Sequence, residues 1–418
     1  MMIKKTAIVL AALLCGGFLF VRAGQESGGD KSLALKIGDP RFKDKLLDLA
    51  PDDLFSAETG KQLPFAEMIR NMKPAEIVYV GETHNSLPMH DLQLKIIQAL
   101  YEQDRNLCLG LEMSPVTRQD VLSKWSLAIL SREDFLRESQ WYVDWNFNFG
   151  FYEKIFAFAK ANKIPVYALN VPREIITRIR MSGWDGLTPE EKAIVPKPDL
   201  TNEEHRLLIR TILESSEIPH EMKGAGMDMM FEGLYRAQVA WDEVMAANAV
   251  EAVRKERKRM VVLAGSGHLI YNLGINMRAF QRSKLPFKTV ICAVVTEGGK
   301  RIRVSRSLGD YIFGMAEEGK SVYPSVGLAF KKVGGLDNLV IESKPIDGVA
   351  EGSDFDKGDV VLSVDGRAFT DINELRIYLA KFKWDDEVKF RLLRAGQEKE
   401  VVLKFKPDAP AAAPDSKK

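Results

Sequence analysis

The sequence predicts an α/β protein: a mostly parallel sheet with flanking helices and a helical insertion, followed by a small β-rich domain. Three observations predict it. From Ala75 onward, short apolar runs of β type alternate with stretches of helical period, the pattern of a parallel sheet covered by helices. Four of these runs end on polar or ligand-type side chains, as strands do when they deliver chemistry at the carboxyl edge of such a sheet. Beyond about residue 305 the pattern changes to short strands around a single helix.

The chain opens with a targeting signal. Lys4-Lys5 is a short basic region, Thr6 to Phe20 is an apolar stretch, and Val21-Arg22-Ala23 offers small residues for cleavage after Ala23. The apolar stretch is shorter than the ~20 residues that cross a bilayer, so residues 1–23 read as a secretory signal peptide and the mature protein as periplasmic or cell-surface. Cys15 suits a lipoprotein, but Leu14 before it is bulky and Phe18-Leu19-Phe20 carries the apolar core past it. An uncleaved anchor is the remaining alternative. Residues 24–47, Gly- and Ser-rich at their start, read as a flexible segment.

The α/β domain is expected over 48–304. Its elements are a strand to Val80, a helix over Asp91–Gln103, a strand to Leu111 and a helix over Thr117–Leu130. A helix over Phe151–Asn162, a strand to Leu169 and a helix opening with Pro172 follow. Residues 202–256 form a helical insertion broken around Ile218-Pro219, placed to wall or cover the strand ends. Its Met227, Met229, Met230, Phe231, Tyr235 and Trp241 read as core packing. Strands at Met260 and at Thr289 to Val295 complete the domain. Residues 305–324 read as a linker, 325–406 as the second domain, and the Pro/Ala/Lys tail 407–418 as disordered.

A length of 418 residues suits two domains. The net charge of +1 gives no electrostatic reason to expect nucleic acid as a partner. Beyond the signal only Cys108 and Cys292 remain; both lie in β runs without metal or redox spacing and read as buried thiols.

The chemistry concentrates at strand ends. Glu76 to Val80 leads into Gly81-Glu82-Thr83-His84, and Met260 to Ala264 into Gly265-Ser266-Gly267-His268. Leu107 to Leu111 leads into Glu112, and Val166 to Leu169 into Asn170. With only five histidines in the chain, two at equivalent strand ends mark a site. Glu82, His84, Glu112 and His268 supply the oxygen and nitrogen donors that a divalent cation takes, and a carboxylate left over suits a general base. Gly81, Gly265 and Gly267 permit positive φ and close backbone approach. His90 and Gln93 share a helix face directed at the first loop, and Gln238 and Asp242 share another, which makes Asp242 a partner for a ligand histidine. His205 and His220 read as surface residues. The cluster Trp141 to Trp145 reads either as core or as the wall of a pocket for a planar apolar ligand.

In order, these motifs resemble the ChaN-like haem-binding uptake family, within the wider Tiki, TraB and erythromycin-esterase grouping. The resemblance runs from about Asp48 to Val304 and includes Ala168 to Arg173 and Gln238 to Ala246. It implies haem binding in iron acquisition; haem iron takes histidine or tyrosine as axial ligand, and His268 and Tyr271 are close enough in sequence for either to serve. The wider grouping implies metal-dependent hydrolysis. One departure stands out: Met89-His90 replaces the paired histidines usual on the first helix. The second domain resembles a PDZ domain of the bacterial protease-associated type. Its Gly327, Leu328, Ala329 and Phe330 hold the position of the loop that receives a peptide carboxyl terminus. Three readings therefore stay open: a haem or small-ligand binder, a metal-dependent hydrolase with a PDZ domain presenting peptide ends, and a non-catalytic envelope adaptor.

Overall fold

A computed structural model describes residues 31–215, 225–296 and 300–406 of the chain. The signal segment with Cys15, the helix break at Ile218-Pro219, His220 and the tail 407–418 lie outside the described residues. The chain divides into two compact units, one built from residues up to Ser131 and Phe151–Glu317, the other from Arg132–Gly150 and the residues from Glu318 onward.

The first unit is an α/β domain. Among the described residues, nine strands precede residue 317: β1 (Leu46–Leu49), β2 (Leu54–Ser56), β3 (Ile77–Glu82), β4 (Leu107–Pro115), β5 (Val166–Asn170), β6 (Arg259–Gly265), β7 (Phe287–Val295), β8 (Ile302–Ser305) and β9 (Tyr311–Ala316). Seven form one sheet in the order β2-β9-β7-β3-β6-β4-β5. All its pairings are parallel except β2 with β9. The central strands are buried along nearly their whole length, which is why they read as continuous apolar runs rather than alternating ones. From β3 the chain builds outward to β4 and β5, returns to β6 beside β3, and then continues on the other side with β7 and β9. The sheet thus changes direction at β3 and β6, where ligands of open α/β sheets bind.

Helices cover the sheet because their apolar positions repeat at helical spacing. Leu87–Gln103 buries Met89, His90, Leu92, Gln93, Ile96, Ile97 and Leu100 along one face. The insertion supplies helices Glu203–Ser215 and Ala225–Glu256, the second burying Met245, Ala246, Ala249, Val250 and Val253 against the sheet residues Met260 and Val262. Phe231 and Tyr235 are core residues as expected, whereas Met229 is 78% exposed. Cys108 and Cys292 are buried free thiols. No described helix is long and apolar enough to cross a membrane.

Two stretches differ from the sequence reading. Residues 31–47, read as flexible, include the 3-10 helix Lys31–Ala34 and much of β1, and bury Ile37 in the core. Within 305–324, read as a linker, lies β9, which pairs with β7 and β2. Its Tyr-Ile-Phe-Gly-Met run is short, so local composition hid it, but it completes one side of the sheet.

The second unit is an antiparallel sheet of β10 (Phe330–Lys332), β11 (Leu339–Ile341), β12 (Val360–Val364), β13 (Glu387–Arg394) and β14 (Gln397–Lys404), with the helix Ile372–Leu379. Its core gathers Phe330, Ile341, Phe355, Val361, Leu375 and Phe390. The unit also incorporates residues 132–150 from far upstream. Short helices Arg132–Glu138 and Trp141–Asp144 lie along the Ile372–Leu379 helix. Fully buried Asn373 is the joint: its Oδ1 accepts from Tyr142 N at 3.0 Å and its Nδ2 donates to Leu136 O at 2.9 Å. Arg376 Nη1 donates to Tyr142 O, and Asn148 Nδ2 to Ala380 O. Trp141 packs on Phe135 and Phe149, so within this unit the aromatic cluster serves as core.

Asn373→Ala is therefore expected to cost the second unit about 1–3 kcal/mol, because it strands a buried amide and a carbonyl together. Urea denaturation of the full chain checks this, and a change below about 0.5 kcal/mol would place the joint elsewhere.

Candidate functional site

The sheet register brings the predicted residues together. Glu82 at the end of β3 pairs with Gly265 at the end of β6, and Leu111 of β4 pairs with Leu263, so Glu112 follows at nearly the same level. Asn170 ends β5 and donates from Nδ2 to Glu112 O at 3.1 Å. Four separate stretches of sequence thus meet on one sheet edge.

One half of the site is built around Glu82. Its Oε1 accepts from His84 Nδ1 at 2.7 Å and from the Tyr152 hydroxyl at 3.2 Å, and its Oε2 lies 2.8 Å from His90 Nε2. His90 Nδ1 faces Gln93 Oε1 at 2.9 Å, while Gln93 Nε2 donates to Val80 O and so fixes the amide. Both His90 nitrogens face acceptors, so the ring carries both protons. Burial works against that charge, but the Glu82 carboxylate outweighs it and raises His90 above its ordinary value. Burial likewise works to raise Glu82, and His90 and His84 together bring it down to about 2.

The other half is built around His268. Its Nδ1 donates to Asp242 Oδ1 at 2.6 Å, Gln238 Nε2 lies 2.8 Å from the same nitrogen, and its Nε2 faces Glu112 Oε1 at 3.3 Å. Glu112 Oε2 accepts from Gly265 N at 2.6 Å. Burial would lower His268, but Glu112 and Asp242 raise it to about 10. Glu112 is lowered, because His268, His84 and the Gly265 amide overcome its burial. In Asp242 burial prevails and the carboxyl is raised.

Gly265 joins the halves. A Cβ there would stand 2.9 Å from His84 Cε1 and 3.6 Å from Glu112 Oε2, so the missing side chain lets the two pairs face each other. Its φ is −55°, and a Cβ on Gly81 would meet Ser266 Oγ at 2.8 Å. These two glycines serve close approach. The left-handed conformation expected of the glycines falls instead on Tyr271 (φ 60°) and Asn272 (φ 55°), downstream of His268.

Among the described residues no group of three or more His, Cys, Asp or Glu is arranged to hold a metal ion, although Glu82, His84, Glu112 and His268 are assembled. The carboxylates face imidazole nitrogens: Glu82 those of His84 and His90, and Glu112 that of His268. His268 and Tyr271, the two candidate axial ligands, both have protein partners in this arrangement. Both ring nitrogens of His268 are engaged, and the Tyr271 hydroxyl donates to Ser32 O at 2.7 Å and accepts from Leu35 N at 2.9 Å.

Sequence reasoning missed three contributors. Tyr152 was hidden behind the aromatic cluster. His205, read as a surface residue, is buried completely, with Nε2 3.5 Å from Asp242 Oδ2. Buried Arg278 lies behind it, within 3.9 Å of the same oxygen. Burial, with Arg278 and His268 adding to it, lowers His205 well below its ordinary value. A histidine on an amphipathic helix carries no local sign of which face it occupies.

In the second unit, Gly327 adopts φ +74°, and a Cβ there would fall 1.9 Å from Asp347 O, so only glycine fits. Leu328 and Phe330 are buried beside it.

A family model described as haem-binding uptake, Tiki superfamily, ChaN, matches residues 68–278. The chain belongs to this ChaN-like haem-binding family. A PDZ domain model matches residues 324–405. ChaN of Campylobacter jejuni, solved with cofacially bound haem, is 22% identical over 64% of this chain and 96% of its own, with a TM-score of 0.50, and shows the same α/β fold. An HtrA-type protease, AlgW, with a bound decapeptide is 20% identical over 29% of this chain and 42% of its own, with a TM-score of 0.20. The erythromycin esterase EreC in its open conformation is 12% identical over 71% and 82%, with a TM-score of 0.36. A search of curated proteins found no match.

Proposed function

We propose that this ChaN-like protein binds haem outside the cytoplasm, as a periplasmic or cell-surface component of haem or iron acquisition. The PDZ domain of the same chain receives the carboxyl terminus of a peptide or protein. The observation that carries the reading is membership of the haem-binding family over residues 68–278. The fold shared with a haem-loaded ChaN and the secretory pattern of residues 1–23 support it. Because His268 and Tyr271 have protein partners, this reading assigns the iron contact to other residues.

Haem titration of the purified mature protein tests this. A Soret band saturating at a fixed stoichiometry is expected, and Tyr271→Phe should retain it. No saturable band with the wild-type protein would end the proposal; loss of the band in folded Tyr271→Phe would return the ligand role to that tyrosine.

One observation favours a second reading, hydrolysis. Two buried glutamate–histidine pairs face each other across Gly265, an arrangement suited to general acid–base work. Turnover of esters or peptides that Glu112→Gln abolishes would support it. Absence of turnover by the wild type across such a panel would remove it.

A further inference from the structure

We propose that His205 is a positioning residue of the site: it donates from Nε2 to Asp242 Oδ2 and thereby fixes the carboxylate that holds the His268 ring against Glu112. Arg278 sets the tautomer, because its guanidinium can only donate. Its Nη2 lies 3.4 Å from His205 Nδ1, so that nitrogen must present its lone pair. The ring proton then sits on Nε2. Arg278 is itself locked, with Nη1 donating to Leu273 O at 2.6 Å and Nε lying 3.2 Å from Glu243 Oε1.

His205 Nε2 and Asp242 Oδ2 are both buried, and each lacks another hydrogen-bond partner among the described residues. They face each other at 3.5 Å. That is slightly long for an N–H···O bond, and a shift of about half an ångström brings it into the normal range. A buried donor and a buried acceptor left apart would both remain unsatisfied, so their mutual approach resolves the two together. The backbone supports the ring's placement: His205 N donates to Asn202 Oδ1 at 2.8 Å, and the Tyr235 hydroxyl donates to Asn202 O. A directed chain results, from Arg278 to His205 to Asp242, with His268 bonded to Asp242 on one side and Glu112 on the other. It runs from three helical elements to β4. The inference concerns the orientation of the His268 ring and stands whether or not the site takes haem.

Nitrogen-15 NMR of the full chain, labelled at histidine, tests it with only five histidines to assign. Wild-type His205 is expected as the neutral Nε2–H tautomer. His205→Gln retains an N–H donor near the Nε2 position, whereas His205→Leu removes it. The His268 Nδ1 proton should exchange with water about tenfold faster in His205→Leu, from loss of one charge-assisted hydrogen bond, and near the wild-type rate in His205→Gln. A purely structural role would destabilise both variants without separating them in this signal. A wild-type Nδ1–H tautomer overturns the proposal, and so does a folded His205→Leu with unchanged His268 exchange. If His205→Leu does not fold, the wild-type tautomer decides.

Discussion

Asp242→Ala is expected to lower the unfolding free energy by about 3–5 kcal/mol, the range for removing one partner of a buried charge pair. Its carboxylate lies 2.6 Å from His268 Nδ1, 3.5 Å from His205 Nε2 and 3.9 Å from Arg278 Nη1, and every one of these residues is buried. Without it, the charged His268 and Arg278 keep their positions but lose the anion between them, and solvent cannot reach them. Asp242→Asn separates charge from shape. Its amide oxygen still accepts from His268, but its amide nitrogen meets the donors of His205 and Arg278, so an intermediate loss is expected. Urea unfolding monitored by tryptophan fluorescence measures both. A loss below about 1 kcal/mol for Asp242→Ala would show that the network is not a stabilising unit.

The second large effect is on alkaline stability. His268 has an ordinary value of 6.5 and is raised to about 10 in the fold, and His90 is raised as well. A group raised on folding contributes stability that is complete below its unfolded value and is lost as pH rises through its folded value. The loss therefore begins near pH 6.5 and continues towards pH 10, reaching on the order of 5 kcal/mol for His268. His205, held low, stays neutral in the fold, and once the pH is about a unit above 6.5 its unfolded form is neutral too, so it opposes the loss only at the lower end of the interval. The acid limb has the opposite origin. Glu82, depressed from 4.5 to about 2, contributes stability above its ordinary value and loses it as pH falls towards 2. Thermal melts between pH 6.5 and 10 should show a steadily falling midpoint, and His268→Gln should flatten the slope. An unchanged midpoint in the wild type would mean that His268 is neutral in the fold.

Much of the α/β domain could be read directly. The runs Glu76–Val80, Leu107–Leu111, Val166–Leu169 and Met260–Ala264 are strands because fully buried parallel strands need uninterrupted apolar sequence. Their terminal Glu82, Glu112, Asn170 and the following His268 share one edge because parallel strands all end on the same side. By contrast, β9 was obscured in a stretch of mixed composition, and the aromatic residues 141–149 gave no sign that they pack with a domain almost two hundred residues downstream. Only long-range pairing separates such segments from linkers and pocket walls.

By itself the sequence determined the fold class, the strand ends that carry the chemistry, the family and the PDZ domain, because each of these is written in local apolar period and short motifs. Tertiary structure decided how those residues are used. It arranged Glu82, His84, Glu112 and His268 as two opposed Glu–His pairs, gave His268 and Tyr271 protein partners, and drew His205 and Arg278 into the buried network. The physical reason is that hydrogen-bond direction and burial depend on which helix face meets the sheet, and neither property is carried by the residues one at a time.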